Sequence, residues 1–208
     1  IIVAERTAEL RETIAELESF SYSISHDMRG PLRAMQGYAT VLQEELKGKV
    51  GEEQWHYLER IVAASARLNR LVQDILNYSQ ISRRKLQLQP IDLQAQVLEV
   101  IQQNPNFQTP LADIRIEGPL PIVLAHETGL TQVCLNLLSN GVKFVHPSTQ
   151  PRIRISAQTA DGRARIRVTD NGIGIDPKNH ERIFHMFEQV NNPTDFEGTG
   201  IGLAIVKK

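Results

Sequence analysis

The sequence predicts a multi-domain chain: an all-α antiparallel helical hairpin over residues 1–85, followed by an α+β sandwich over residues 86–208. Three observations predict it. Apolar residues recur at heptad spacing through the first part of the chain. Two runs in the second part, Arg152-Ile153-Arg154-Ile155-Ser156 and Ala164-Arg165-Ile166-Arg167-Val168, alternate apolar and polar residues around Asp161-Gly162, a hairpin turn signal. Between them and the hairpin, Thr128 to Val145 reads as a helix with a strongly apolar face.

The first helix is expected from Ile2 to about Leu46, with Glu5, Arg6, Glu9, Arg11, Glu12, Glu16 and Glu18 on its polar faces. Val3, Leu10, Leu17 and Ile24 make one heptad row, and Thr7, Ile14, Ser21 and Met28 a weaker neighbour. Taken as the d and a positions of a bundle seam, these rows place His26 at f, pointing away from the seam. Pro31 removes a backbone bond and predicts a kink. Lys47-Gly48-Lys49-Val50-Gly51 reads as a turn, and a second helix runs from about Glu52 to Arg83 on Leu58, Ile61, Leu68, Val72 and Ile75, with Val62, Leu71 and Leu76 widening its stripe. Such a hairpin leaves one side of its stripe uncovered. Pairing two of them as a four-helix bundle buries it, so a homodimer is expected, with the first helix continuing a coiled coil upstream.

Lys85-Leu86-Gln87-Leu88-Gln89 alternates like a strand, which Pro90 is expected to end. Asp92 can cap a helix from Leu93 to about Gln103. Strands are expected over Asp113–Glu117 and Pro121–Leu124, giving helices on one face of a mixed sheet. Gly198 to Lys208 reads as the start of a further helix that stops abruptly. With no initial methionine and a start in mid-pattern, the chain reads as a C-terminally truncated fragment of something longer.

Composition narrows the function. Hydrophobic residues at 41% and charged residues at 23% suit a soluble globular protein, and a net charge of -1 excludes nucleic acid as a bulk electrostatic partner. One cysteine, Cys134, allows no internal disulfide and reads as a buried, inert thiol in an apolar run. No stretch approaches the ~18 apolar residues of a membrane span, and there is no signal peptide. A cytoplasmic location is expected for these residues.

Four segments carry chemistry. In Ser25-His26-Asp27-Met28-Arg29-Gly30-Pro31-Leu32, a carboxylate beside an exposed imidazole can fix the tautomer and enrich the outward nitrogen, although a lone pair of this kind also reads as a surface histidine. Asn136, Asn140 and Lys143 share one helical face at i, i+4 and i+7. Two amide oxygens and an ammonium there suit a magnesium ion bridging phosphates, or else a solvated polar stripe. Asp170-Asn171-Gly172-Ile173-Gly174-Ile175 follows a strand; its aspartate can accept from an exocyclic amine of adenine, and its glycines permit close approach, though alone it is equally a turn. Gly198-Thr199-Gly200-Ile201-Gly202-Leu203 opens a helix whose N–H groups can attract phosphate. It is neither a Rossmann fingerprint nor a P-loop.

These segments, with Ile183-Phe184-His185-Met186-Phe187-Glu188, occur in the order of the motifs of sensor histidine kinases of two-component systems, and the chain resembles that family over nearly its whole length. The resemblance implies a dimerisation and phosphotransfer hairpin before an ATP-binding domain of the type found in gyrase and the mismatch-repair ATPases. It implies ATP and Mg²⁺ as cofactors. His26 becomes the phosphoacceptor and Asp27 its orienting base. Asn140 becomes the Mg²⁺ ligand, Asn136 lines the phosphate end, Lys143 contacts phosphate and Phe144 flanks the nucleotide. Asp170 reads the adenine amine in a pocket shaped by Gly172 and Gly174. Phe184 and Phe187 anchor a mobile lid, about Asp176 to Glu197; Gly198, Thr199, Gly200 and Gly202 form its far hinge, and Arg182 reaches the γ-phosphate. The implied partners are a second copy of the hairpin, a response-regulator receiver domain and an upstream sensor domain in the full-length chain.

Many members carry Thr or Asn four residues after the histidine to place water for dephosphorylating the partner; Gly30 has no side chain for that. The implied activity is thus ATP-dependent autophosphorylation and phosphotransfer, without support for a phosphatase. Two other readings remain: a dimeric scaffold that binds little nucleotide, and an ATPase without phosphotransfer. Relatives of the latter kind usually place an acid where this chain has Asn136.

Overall fold

A computed structural model of the protein describes residues 2–83, 87–190, 196 and 198–208, and the side chains of these except residues 2–5, 7–19 and 80–83. The heptad positions Val3, Thr7, Leu10, Ile14 and Leu17, and Asn191, Asn192, Pro193, Thr194, Asp195 and Glu197 of the expected lid, thus lie outside what is described of side chains. The chain divides into two compact units, Ile1–Arg84 and Lys85–Lys208.

The first unit is a hairpin of α1 (Ile2–Leu46) and α2 (Glu52–Arg83). Pro31 lies inside α1, which continues through it as one helix. At the turn, Gly48 adopts φ 72°, a left-handed conformation that a Cβ disfavours, and the Lys49 N–H donates to the Leu46 carbonyl at 2.9 Å. Leu32 packs with Val72 and Leu76 of α2, and Tyr22 rests against that cluster.

Within the hairpin, α1 meets α2 through a row beside the one read as the bundle seam. Ser25, Leu32 and Ala39 are buried, at seven-residue intervals, with Arg29 and Gln36 half-buried between them. Ile24 and Met28 of the expected row are 41% and 40% exposed and continue into exposed Met35 and Leu42. Against this seam, His26 flanks buried Ser25 rather than pointing directly away. The physical reason is that each helix carries a stripe wider than one neighbour covers. One edge meets the hairpin partner; the other, with Ile61 and Leu68 of α2, faces solvent in a single chain.

In the second unit, β1 (Gln89–Asp92) pairs antiparallel with β3 (Ile122–Ala125), and β4 (Arg152–Ala160) pairs in parallel with β2 (Asp113–Ile116) and antiparallel with β5 (Arg163–Asp170). Pro90 does not end a strand. It sits inside β1 opposite Leu124, where a two-stranded ribbon leaves one edge free and tolerates a residue without an N–H. The single mixed sheet expected is two sheets, of two and three strands. Packing rather than hydrogen bonding joins them: Leu93, Val97 and Val100 of α3 (Leu93–Gln103), Leu138 of α4 (Glu127–Lys143), and Ile153 and Ile155 of β4 form one core, against which Val123 of β3 and Ile114 and Ile116 of β2 also pack. The Asp92 carboxylate caps α3 by accepting from Gln94 N at 2.9 Å and Ala95 N at 3.0 Å. Asp161 and Gly162 both take positive φ, 52° and 70°, as a tight hairpin between twisted strands requires. The short helix α5 (Gly202–Lys207) completes the unit.

Candidate functional site

On the hairpin, the imidazole of His26 is held at one end and open at the other. Its Nδ1 lies 3.2 Å from Asp27 Oδ1, with the two side chains 62% and 76% exposed. An acceptor on Nδ1 favours the tautomer protonated there, which leaves the Nε2 lone pair outward. The ring also stacks with Tyr22, centroids 6.4 Å apart at 23°. Sequence reasoning missed Tyr22; its position one turn before His26 was the available signal.

In the second unit, α4 and the loops after β5 and before α5 converge, and glycines set how closely. A Cβ on Gly141 would lie 2.7 Å from Ile153 Cδ1, so glycine is what lets α4 pack this closely on β4, and 3.4 Å from Asp170 Cβ at the end of β5, an ordinary contact. The loop after β5 docks on the end of α4: Ile173 N donates to the Phe144 carbonyl at 2.9 Å, and a Cβ on Gly172 would lie 2.5 Å from that same oxygen. The Gly172 N–H donates to Asp170 Oδ1 at 2.8 Å. Oδ2 makes no hydrogen bond among the described residues, which leaves one carboxylate oxygen to accept from a ligand. Gly174 adopts φ 72°.

The polar face of α4 divides in two. Asn140 is half-buried, and its amide makes no hydrogen bond among the described residues, so its oxygen can ligate. Asn136 is committed: its Nδ2 donates to the Gly202 carbonyl at 3.0 Å and its Oδ1 accepts from Gln132 at 3.3 Å. Asn136, expected to line the phosphate end, braces the first turn of α5. The Lys143 ammonium stands 4.0 Å over the Phe144 ring and so close to Gly198 that a Cβ there would lie 2.9 Å from it. Phe144 in turn meets Phe196, ring centroids 5.2 Å apart.

The glycine segment is fastened by backbone. Phe187 N donates to the Gly200 carbonyl at 2.9 Å, with Gly200 at φ 72° and Phe187 at φ 65°. Gln189 Nε2 donates to the Gly198 carbonyl at 2.8 Å, a tie that nothing in the sequence signalled. Phe184 is half-buried, with the Lys207 ammonium 5.8 Å from its ring centroid. Phe187 departs from the expected pair of packed anchors: its side chain is 57% exposed and its backbone makes the attachment. The Arg182 guanidinium pairs with Glu188 at 2.8 Å. Thr199 is half-buried between the two glycines.

A divalent cation fits Asn140 only with help. No group of three His, Cys, Asp or Glu side chains that could hold a metal occurs among the described residues. The donor set is one neutral amide oxygen, which suits Mg²⁺ completed by waters and phosphate oxygens. Cys134 lies off this face, and burial pushes its thiol up to about 11.

Comparison with known proteins matches residues 16–84 to the His Kinase A (phospho-acceptor) domain and residues 125–208 to the histidine kinase-, DNA gyrase B- and HSP90-like ATPase. The chain belongs to the histidine kinase family. Among curated relatives, the phytochrome-like protein Cph1 of Synechocystis is 32% identical over 99% of this chain and 27% of its own length. The methanogenesis regulatory histidine kinase FilI of Methanothrix harundinacea is 29% identical over 98% of this chain and 23% of its own. The chain therefore spans about a quarter of the length of these relatives. The crystal structure of full-length ShkA in complex with AMPPNP matches 91% of this chain and 40% of its own, at 31% identity and a TM-score of 0.65. This histidine kinase chain thus pairs a phosphoacceptor hairpin with an ATPase-type α/β unit. Among the described residues, no helix is long and apolar enough to cross a membrane.

Proposed function

We propose that this chain is an ATP-dependent protein histidine kinase that autophosphorylates on His26 and passes the phosphoryl group to an aspartate of a response-regulator receiver domain. The observation that carries the reading is the exposed His26 ring, held at Nδ1 by Asp27. In the step, the bond between the γ-phosphorus and the β,γ-bridging oxygen of ATP breaks, a P–N bond forms at Nε2, and ADP leaves. The Nδ1 proton stays on the ring and the Asp27 carboxylate stabilises the resulting cation. In the ATPase unit, Asp170 Oδ2 accepts from the adenine amine, the Phe144 ring flanks the base, and Lys143 with the N–H groups around Gly198, Thr199, Gly200 and Gly202 receives phosphate oxygens. Asn140 would hold Mg²⁺, which when bound neutralises charge on the phosphates.

The exposed apolar row of Ile24, Met28, Met35, Leu42, Ile61 and Leu68 is suited to a second copy of the hairpin, giving a homodimeric four-helix bundle. Gly30 offers no side chain to place a hydrolytic water, so phosphatase activity toward the regulator is not part of the reading. An upstream sensor would act through α1.

The test is incubation with Mg-ATP labelled on the γ-phosphate. Acid-labile, base-stable label on the wild type and none on His26→Gln is expected, with ATP affinity equal in the two. Label retained by His26→Gln overturns the assignment. ATP hydrolysis without phosphoprotein would mean an ATPase, and absence of ATP binding a scaffold.

A further inference from the structure

The outer face of the three-stranded sheet is an arginine lattice, and the phosphotransfer reading makes no use of it. Residues paired across a sheet point to the same side, and successive residues alternate. The rungs Ile114–Ile153 and Ile116–Ile155–Val168 face the helices, where Ile153 and Ile155 are buried. The intervening rungs must face outward. They carry Asp113 with Arg152, Arg115 with Arg154 and Thr169, Ser156 with Arg167, Gln158 with Arg165, and Ala160 with Arg163. Six arginines thus share one face of a chain whose net charge is -1.

This face already shows what it binds. The Asp113 carboxylate accepts from Arg115 Nε at 2.7 Å and from Arg154 Nη2 at 2.9 Å, one carboxylate held by two guanidinium groups. These partners hold the Asp113 carboxyl below its ordinary value of 3.8. Arg152, Arg163, Arg165 and Arg167 are exposed and form no ion pair among the described residues. On β5 the three stand about 7 Å apart at alternate positions.

We infer that the outer face of β2, β4 and β5 is a docking surface for a carboxylate-rich protein segment, with Arg163, Arg165 and Arg167 as its main contacts. Charge complementarity selects the partner class. Guanidinium groups make charge-assisted hydrogen bonds to carboxylates, as Arg115 and Arg154 do to the two oxygens of Asp113. Nucleic acid fits less well. The outward rungs present no aromatic side chain on which a base could stack. The surface lies on the side of the sheet opposite α4 and its nucleotide residues, so docking there and nucleotide binding are separable.

The test uses the full chain and a fluorescent glutamate oligomer, read by anisotropy at low and moderate salt. The wild type is expected to bind, more weakly as salt rises. The variant Arg163→Gln/Arg165→Gln/Arg167→Gln is expected to lose about tenfold or more in affinity, as three solvent-exposed charge contacts imply. Lys49→Gln/Arg60→Gln/Arg67→Gln removes equal charge from the hairpin and is expected to bind as the wild type does. Unchanged ATP affinity in the sheet variant shows that the unit is folded. The inference is overturned if the oligomer does not bind, if both variants lose affinity equally, or if single-stranded DNA or phosphatidylserine vesicles bind this face more tightly than the glutamate oligomer.

Discussion

The side-chain amide of Asn136 donates to the Gly202 carbonyl at 3.0 Å, tying α4 to a helix that begins 66 residues later. Truncation to Ala removes this tie between the two helices and is expected to cost roughly 0.5–1.5 kcal/mol of unfolding free energy. Asn136→Asp puts an acceptor against that carbonyl and is expected to be worse. Denaturant unfolding of the ATPase unit's transition checks both, and equal stability of the aspartate and wild-type chains would remove the bracing role.

Gly141 gives a test of close packing. Gly141→Ala places a methyl 2.7 Å from Ile153 Cδ1 in the buried core, an overpacking expected to cost about 1–3 kcal/mol. Ile153→Val removes that atom. The double variant should therefore be more stable than the sum of the single losses, a coupling readable in a double-mutant cycle.

Asp27 acts on the rate, not on nucleotide binding. Asp27→Asn keeps an acceptor near Nδ1 but removes the charge that stabilises the cationic ring. Autophosphorylation is expected to fall about a hundredfold, within the range for a lost acid–base partner, at unchanged ATP affinity. Single-turnover labelling against ATP concentration separates the two.

Asp113 predicts an acid-side dependence. Its carboxyl is lowered from 3.8, first by its hydrogen bond to Arg154 and then by that to Arg115. A depressed carboxyl contributes stability above its unfolded value and loses it as pH falls through the folded one. The wild type should lose this contribution below the ordinary aspartate range, whereas Asp113→Asn lacks it at neutral pH and so shows a shallower fall. Thermal unfolding of both chains from neutral to acid pH measures the difference.

Cys134 should be inert in the folded chain. With its thiol pushed up to about 11 by burial, alkylation at neutral pH is expected to be slow, and fast after denaturation. Labelling at equal rates in the two states would contradict the burial.

Much of the fold could be read from local pattern. The bounds of α3 and its Asp92 cap, the Asp161-Gly162 hairpin and the turn at Gly48 all follow from residue types that one short segment constrains. The errors arose where a second segment decides. Pro90 stops a strand only if both edges must pair, and the pairing with β3 leaves one edge free. The row of Ile24 and Met28 and the row of Ser25, Leu32 and Ala39 lie side by side, and periodicity cannot say which edge of a wide stripe meets α2 and which is left for another partner.

The candidate site divides the same way. His26 beside Asp27, and Asn140 one turn from Asn136, are neighbours in sequence, so their shared faces were legible from spacing. The distinct fates of Asn136 and Asn140 were not, because the Gly202 carbonyl that occupies one amide arrives from far along the chain. Nor could spacing show that Phe187 holds Gly200 through its backbone while its ring stays in water.

By itself the sequence determined which segments are helix and strand, which residues carry reactive or ligating groups, and the order of the family's motifs, since these depend on covalent neighbours and on turns of 3.6 or 2 residues. Only the tertiary structure decided which amides stay free, how near α4 comes to Ile153 through Gly141, and that six arginines share one sheet face. Those depend on which distant atoms reach a given point first, and hydrogen bonds and close packing are satisfied by proximity in space.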